Sequence, residues 1–96
     1  MILLMKIQAG YLPERVIFII QQTGVRMEKS LLKVLKGLAE YCDLSLGDLL
    51  EGIVLHAFEG KAPFSDETLE AIARLKAVYG CKLTAADSHR LEEVEA

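Results

Sequence analysis

The feature that most constrains the fold is a change in the spacing of apolar residues at about Glu28. Before it, residues 16–20 read Val-Ile-Phe-Ile-Ile, a β-branched and aromatic run typical of a strand buried on both faces. In residues 22–27 polar and apolar side chains then alternate, as they do in a strand with two different faces. After Glu28 the apolar residues recur at helical spacing, and they form the stripe Leu31, Leu32, Leu35, Leu38 and Ala39. The sequence therefore predicts an apolar strand, a short two-faced strand and a helix, in that order.

Two more helices are predicted downstream. The first helix is expected to end near residues 41–43, and Ser45 is expected to cap a second helix that ends at Gly60. Ser65 is expected to cap a third helix that ends at Gly80. Because the second helix is apolar on most of its surface, we expect it to lie in an interface between subunits.

The size of the chain points the same way. It has 96 residues, which predicts one domain, and 52% of them are hydrophobic. So much aliphatic surface in so short a chain is most easily buried by self-association. Cys42 and Cys81 lie far apart without ligand spacing, so we expect free thiols in a reducing compartment. No segment reaches the roughly 18 apolar residues of a membrane span, and the apolar start is too short for a signal peptide. A cytoplasmic protein is expected.

Charge is distributed unevenly along the chain. The net charge is −3, which does not favour non-specific attraction to a polyanion. Residues 1–41, however, carry six basic and three acidic groups, whereas residues 42–96 carry five basic and eleven acidic groups. We therefore expect any nucleic acid to contact the first half.

One stretch resembles a known family. Residues 25–35, Val-Arg-Met-Glu-Lys-Ser-Leu-Leu-Lys-Val-Leu, are followed by Leu-Ala-Glu-Tyr at 38–41 and Leu-Ser at 44–45. This pattern is similar to the ribbon-helix-helix family of prokaryotic repressors and antitoxins. The resemblance implies a mainly α fold with a short β-ribbon, that is, a ribbon-helix-helix dimer plus one or two extra C-terminal helices. It divides the chain into an N-terminal extension with an apolar strand (1–21), a ribbon-helix-helix core (22–60) and a C-terminal helical extension (61–96).

The family also implies where DNA would bind, because its paired strands enter the major groove and the start of the second helix holds a phosphate. The base-facing positions are Gln22, Gly24 and Arg26. The phosphate clamp corresponds to Ser45, Leu46 and Gly47. From their spacing on the first helix, Lys29 and Lys33 are further candidates to face phosphates. The expected dimer core consists of Val25, Met27, Leu35, Leu38, Leu49, Leu50, Ile53, Val54 and Phe58.

Nothing in the sequence indicates an enzyme. There is no glycine-rich phosphate loop, nucleophile elbow or HExxH motif, so we expect no catalytic activity and no cofactor. Gly47 and Gly52 are interpreted as positions where helices pack closely. His56 is expected to be packed and hydrogen-bonded. His89 forms Asp-x-His with Asp87 but has no third ligand at a recognisable spacing, so no metal site is expected.

Two functions remain open at this point. The first is a dimeric DNA-binding protein, a transcriptional regulator or antitoxin-like repressor, whose partners are a second copy of itself and double-stranded DNA. The alternative is a dimerisation or protein-interaction module of the same fold without DNA binding, which the acidic net charge and Gly24 favour. The C-terminal extension would then offer a surface to another protein. In that alternative Arg26 is a solvated residue that pairs with Glu28 of the partner subunit, and Lys29, Lys33 and Lys36 are an ordinary exposed helix face.

Overall fold

A computed structural model describes residues 17–94, and the regular structure in this part of the chain is helical. Helix α1 spans Lys29–Tyr41, α2 spans Leu46–Phe58 and α3 spans Asp66–Tyr79. A three-residue 3-10 helix, Ala85–Asp87, follows. Helix α3 is the expected first C-terminal helix, whereas a second one, expected to run from Thr84 to about Val94, is limited to this three-residue turn. None of the helices in residues 17–94 is long and apolar enough to cross a membrane.

The predicted fold class, mainly α with a short β-ribbon, is wrong in its ribbon. Residues 17–28 form neither helix nor strand, and no sheet occurs anywhere in residues 17–94. A strand needs a second strand to which its amides and carbonyls can bind, and the remainder of this region is helix and turn. Ile19, expected to be buried in a strand, is 97% exposed. Val16, the first residue of the predicted apolar strand, lies outside the described residues.

The helix ends follow the predicted capping residues. Ser45 and Ser65 are the N-caps of α2 and α3, and each hydroxyl accepts a hydrogen bond from the amide three residues ahead, at 3.1 and 3.2 Å. At the other ends, Gly60 and Gly80 adopt left-handed conformations with φ of 70° and 66°, which glycine adopts at little cost. These predicted helix boundaries are therefore confirmed.

The hydrophobic core is small and centres on α1. Leu38 is 2% exposed and packs with Ala39 and with Leu49 of α2. Partly buried side chains surround this cluster: Leu35, Cys42, Ile53, Phe64, Ile72 and Leu75. Helix α1 packs more extensively against α3 than against α2. The C-terminal extension defined from the sequence therefore contributes a core helix.

The close helix contact occurs at Gly37, a glycine to which the sequence pattern gave no role. A Cβ added at Gly37 would lie 3.0 Å from Leu75 Cδ2 and 3.5 Å from Tyr79 Cε2. The interpretation of Gly47 and Gly52 as close-packing positions is wrong, because a Cβ at either one would meet no atom within 4 Å. On α2 these glycines face open space instead of a neighbouring helix.

Two features hold the chain after α3 against that helix, and a further hydrogen bond lies within residues 84–87. Cys81 is 5% exposed. The Lys76 ammonium donates a hydrogen bond to the Leu83 carbonyl at 2.8 Å, and the Thr84 amide donates to Asp87 Oδ2 at 2.8 Å. These contacts fix the path of residues 81–87 and so determine where residues 91–94 begin.

Candidate functional site

The lysine face, defined as Lys29, Lys33 and Lys36, lies on one side of α1. The spacing of four and three residues places these side chains above one another along the helix. All three are exposed, and none forms an ion pair with another described residue. Glu28, which caps the helix, accepts hydrogen bonds from Ser30 Oγ at 2.6 Å and from the Leu31 amide at 2.9 Å. Its carboxylate is therefore engaged by the helix end, and the lysines are left to face solvent.

The three predicted base-facing residues lie on the segment that leads into α1. Gln22, Gly24 and Arg26 are all exposed. A Cβ at Gly24 would meet no atom within 4 Å, so the backbone there is open to close approach by a ligand. The Arg26 guanidinium forms an ion pair with the Glu93 carboxylate, and both side chains remain well exposed, at 79% and 69%. Arg26 is thus held by an acidic group of this same chain.

The predicted phosphate clamp at the start of α2 is partly occupied. The Ser45 hydroxyl accepts a hydrogen bond from the Asp48 amide. The first backbone hydrogen bond of the helix is donated by the Leu49 amide to the Ser45 carbonyl. The amides of Leu46 and Gly47 precede this bond and are not used by the helix. The Asp48 carboxylate lies in this first turn. A negative side chain at a helix N-terminus already complements the dipole, so this site favours a phosphate less than the lysine face does.

An open apolar groove separates the N-terminal segment from α2. Its volume is about 990 Å³. The lining comes from Ile17, Phe18, Ile19, Ile20, Thr23 and Val25 on one side and from Leu50, Glu51, Val54 and Leu55 on the other. The side chains that line the groove remain open to solvent: the four residues Ile17 to Ile20 are between 75% and 97% exposed.

The nine predicted dimer-core residues fall into three groups by exposure. Leu38 and Leu49 are buried within this chain, and Leu35 and Ile53 are partly buried against them. Met27 and Leu50 have intermediate exposure. The remaining three side chains are exposed, namely Val25 at 72%, Val54 at 44% and Phe58 at 81%. Of the predicted dimer-core residues, only these three have exposed side chains that a second subunit could contact.

The structure also brings in residues to which the sequence pattern gave no role. Residues 91–94, the acidic segment, lie beside the start of α1 and enclose with it a cleft of about 470 Å³. Arg26, Met27, Glu28 and Lys29 form the other wall. The opposite charges of the two halves were visible in the sequence. The contact between residues 91–94 and the start of α1 was not visible there, because the turns that return the chain to α1 depend on packing against α3.

The cysteine and histidine side chains of the described residues line neither the groove nor the cleft. Cys42 and Cys81 are free thiols. His56 Nδ1 lies 2.7 Å from the Gly52 carbonyl one turn earlier. His89 and Asp87 do not join a third metal-binding side chain, and no cluster of three occurs in the described residues.

These features leave the lysine face, the exposed residues before it and the apolar groove as the candidate functional surfaces. Comparisons of the chain with protein-family models, with curated proteins and with solved structures found no match.

Proposed function

We propose that this chain is a cytoplasmic, homodimeric protein that binds double-stranded DNA as a regulator of transcription. The observation that carries the proposal is the lysine face. Lys29, Lys33 and Lys36 are exposed and free of ion pairs with described residues, and Arg26 lies three residues before Lys29 in the segment that leads into α1. In a chain of net charge −3, a cluster of unpaired cations at one place marks the surface that a polyanion would contact.

The dimensions of the lysine face suit a phosphate backbone. From Lys29 to Lys36 the helix rises about 10 Å. A duplex presents roughly six phosphate charges over the same axial length. Because the lysines are carried by a rigid helix, they can neutralise several of these charges without the ordering of other parts of the chain. This electrostatic contact supplies affinity and register but does not read sequence.

Sequence reading would come from the segment before α1. Arginine binds the major-groove edge of guanine and glutamine that of adenine, and Arg26 and Gln22 are both exposed. Gly24 lies between them and contributes an open backbone in place of a side chain. Two base-contacting residues on each chain can select only a few base pairs, so a second copy is needed to lengthen the DNA site.

The apolar groove supplies the reason for that second copy. Eight large apolar side chains of the N-terminal segment and α2 are between 44% and 97% exposed: Ile17, Phe18, Ile19, Ile20, Val25, Val54, Leu55 and Phe58. A stable protein interface buries about 800 Å² on each partner. Eight such side chains, at roughly 100 Å² each, provide that area. A second copy offers a surface of the same composition and equal size.

The alternative is a protein-interaction module without DNA binding. It is favoured by the pair between Arg26 and Glu93, because an arginine committed to a carboxylate reads no base. In this alternative the lysine face is a solvated helix surface, and the groove or the C-terminal extension binds another protein.

The test is fluorescence anisotropy with labelled duplexes, including the region upstream of the protein's own gene, at several salt concentrations. Wild type should prefer one fragment and lose affinity steeply as salt rises. The double variant Lys29→Gln/Lys33→Gln should bind every fragment more weakly. Its slope of log affinity against log salt should fall by about 0.9 for each phosphate that the missing lysines no longer neutralise.

The matched control is Lys61→Gln/Lys82→Gln, which makes the same charge change at exposed lysines in the second half of the chain. It should leave the salt slope unchanged. If the folded wild type binds no duplex at low salt, DNA binding is excluded and the protein-interaction alternative takes its place.

A further inference from the structure

The acidic segment lies on the surface that DNA would need. Glu93 pairs with Arg26, and Glu92 lines the same cleft as Lys29. Leu91 and Val94 also line this cleft, yet they are 53% and 83% exposed. The segment is thus placed by charge more than by burial, and interactions of this kind are individually weak and sensitive to salt.

A carboxylate and a phosphate compete for the same guanidinium. Both present oxygens that accept charge-assisted hydrogen bonds from arginine, so Arg26 cannot hold Glu93 and a DNA group at once. The carboxylate of Glu92 lowers the local potential at Lys29 even without a direct bond. While residues 91–94 stay in place, Arg26 and Lys29 contribute less positive potential, and the part of the basic surface open to DNA is shorter at its N-terminal end.

The competition is effective because the segment is tethered. Residues 81–87 are fixed on α3 by the burial of Cys81 and by the Lys76–Leu83 hydrogen bond, and only a few residues separate them from Glu92. Such a short connection keeps the carboxylates at high effective concentration near Arg26. A duplex with many phosphates can still displace them, since each exposed pair is weak.

From these contacts we propose that residues 91–94 are an autoinhibitory segment that screens Arg26 and Lys29 from DNA. The proposal rests on the function proposed above. It predicts that the protein binds DNA more weakly than its own basic surface allows, and that displacement of the segment is part of binding. Non-specific DNA, which offers only phosphates, is disfavoured most.

The test compares wild type with Glu92→Gln/Glu93→Gln in anisotropy titrations of a random-sequence duplex. The variant should bind about 3- to 10-fold more tightly, the range expected for removing one or two exposed charge interactions. Its salt slope should be steeper, because in wild type rising salt also weakens the Arg26–Glu93 pair and so offsets part of the loss of affinity. The control is Glu67→Gln/Glu70→Gln, which removes two exposed negative charges from α3 and should leave the slope as in wild type.

A second readout does not involve DNA. Arg26→Gln should change the backbone amide NMR shifts of residues 91–94, and moderate salt should cause the same change in wild type. Equal affinities and slopes for wild type and Glu92→Gln/Glu93→Gln would overturn the inference while leaving DNA binding intact. Unchanged amide shifts would overturn it as well. Absence of DNA binding by every form would instead overturn the proposed function, and the inference with it.

Discussion

Glu28 shows how one side chain starts α1. Its carboxylate accepts hydrogen bonds from Ser30 Oγ and from the Leu31 amide, and these bonds lower the pKa of Glu28, with the Ser30 bond as the largest cause. A carboxyl group whose pKa is lower in the folded state stabilises the fold fully above its unfolded pKa. That contribution disappears as the pH falls through the folded pKa.

We therefore predict that Glu28→Ala lowers the urea midpoint of unfolding at pH 7 and that this difference shrinks as the pH is lowered from 5 to 3. Below the depressed pKa the wild-type carboxyl is protonated and accepts these hydrogen bonds poorly. Urea unfolding followed by circular dichroism at each pH measures the difference. Glu40→Ala, which removes an exposed carboxylate from the same helix without removing a cap, is the control. A pH-independent difference for Glu28→Ala would contradict the role of its charge.

At this scale the sequence predicts some positions well and others poorly. Ser45 and Ser65 were identifiable as caps because a short hydroxyl side chain before an apolar run is a local signal. Glu28 was not, since glutamate is not among the preferred capping residues. The ion pair of Arg26 was also beyond prediction, because 67 positions separate it from Glu93 and no local pattern links them.

At the scale of elements, the contact between α1 and α3 depends on the missing side chain of Gly37. A larger residue must displace Leu75 and Tyr79, which approach that position to 3.0 and 3.5 Å. We predict that Gly37→Leu lowers the free energy of unfolding by about 1–3 kcal/mol, as overpacking does, although leucine favours helix more than glycine.

Gly47→Leu is the control, because a Cβ added at that position on α2 meets no atom within 4 Å. Chemical denaturation of both variants measures the difference. The prediction fails if Gly37→Leu is as stable as Gly47→Leu, since α1 and α3 would then not pack closely at this position.

The predictions for α1, α2 and α3 were confirmed and the prediction for the strand was wrong, for a physical reason. Helical period, caps and terminal glycines are all local, so α1, α2 and α3 could be located within a few residues. A ribbon also requires a partner for each backbone group, and β-branched composition at residues 16–20 says nothing about which segment would supply it. For the same reason, close packing was assigned to Gly47 and Gly52, whereas among the glycines of residues 17–94 only Gly37 has a neighbouring helix that close.

At the scale of the whole molecule, the described part of the chain buries little of its apolar surface. Six hydrophobic residues are buried there, whereas fifteen large ones are exposed. The sequence could predict an excess of apolar surface from its hydrophobic fraction, but not which helix faces remain open. The structure places eight of the fifteen around the groove and at the end of α2, so the excess is concentrated where a second copy is proposed to bind.

This clustering of exposed apolar side chains leads to a prediction about the oligomeric state. Ile19 is 97% exposed and Val54 44% exposed, so an aspartate at either position disturbs little within one chain. In a subunit interface, however, it would bury an unpaired charge, which is strongly unfavourable. We predict that wild type sediments as a dimer at micromolar concentration and that Ile19→Asp and Val54→Asp sediment as folded monomers.

Val78→Asp is the control for that experiment, because Val78 is 73% exposed on α3 and does not line the groove. It should remain a dimer. Dissociation of all three variants would mean that added charge weakens the dimer wherever it is placed, and the groove would lose its special role. A wild type that stays monomeric up to about 100 µM would exclude the homodimer. DNA would then meet only one Gln22 and one Arg26, too few contacts to select a site among the many competing sequences of a genome.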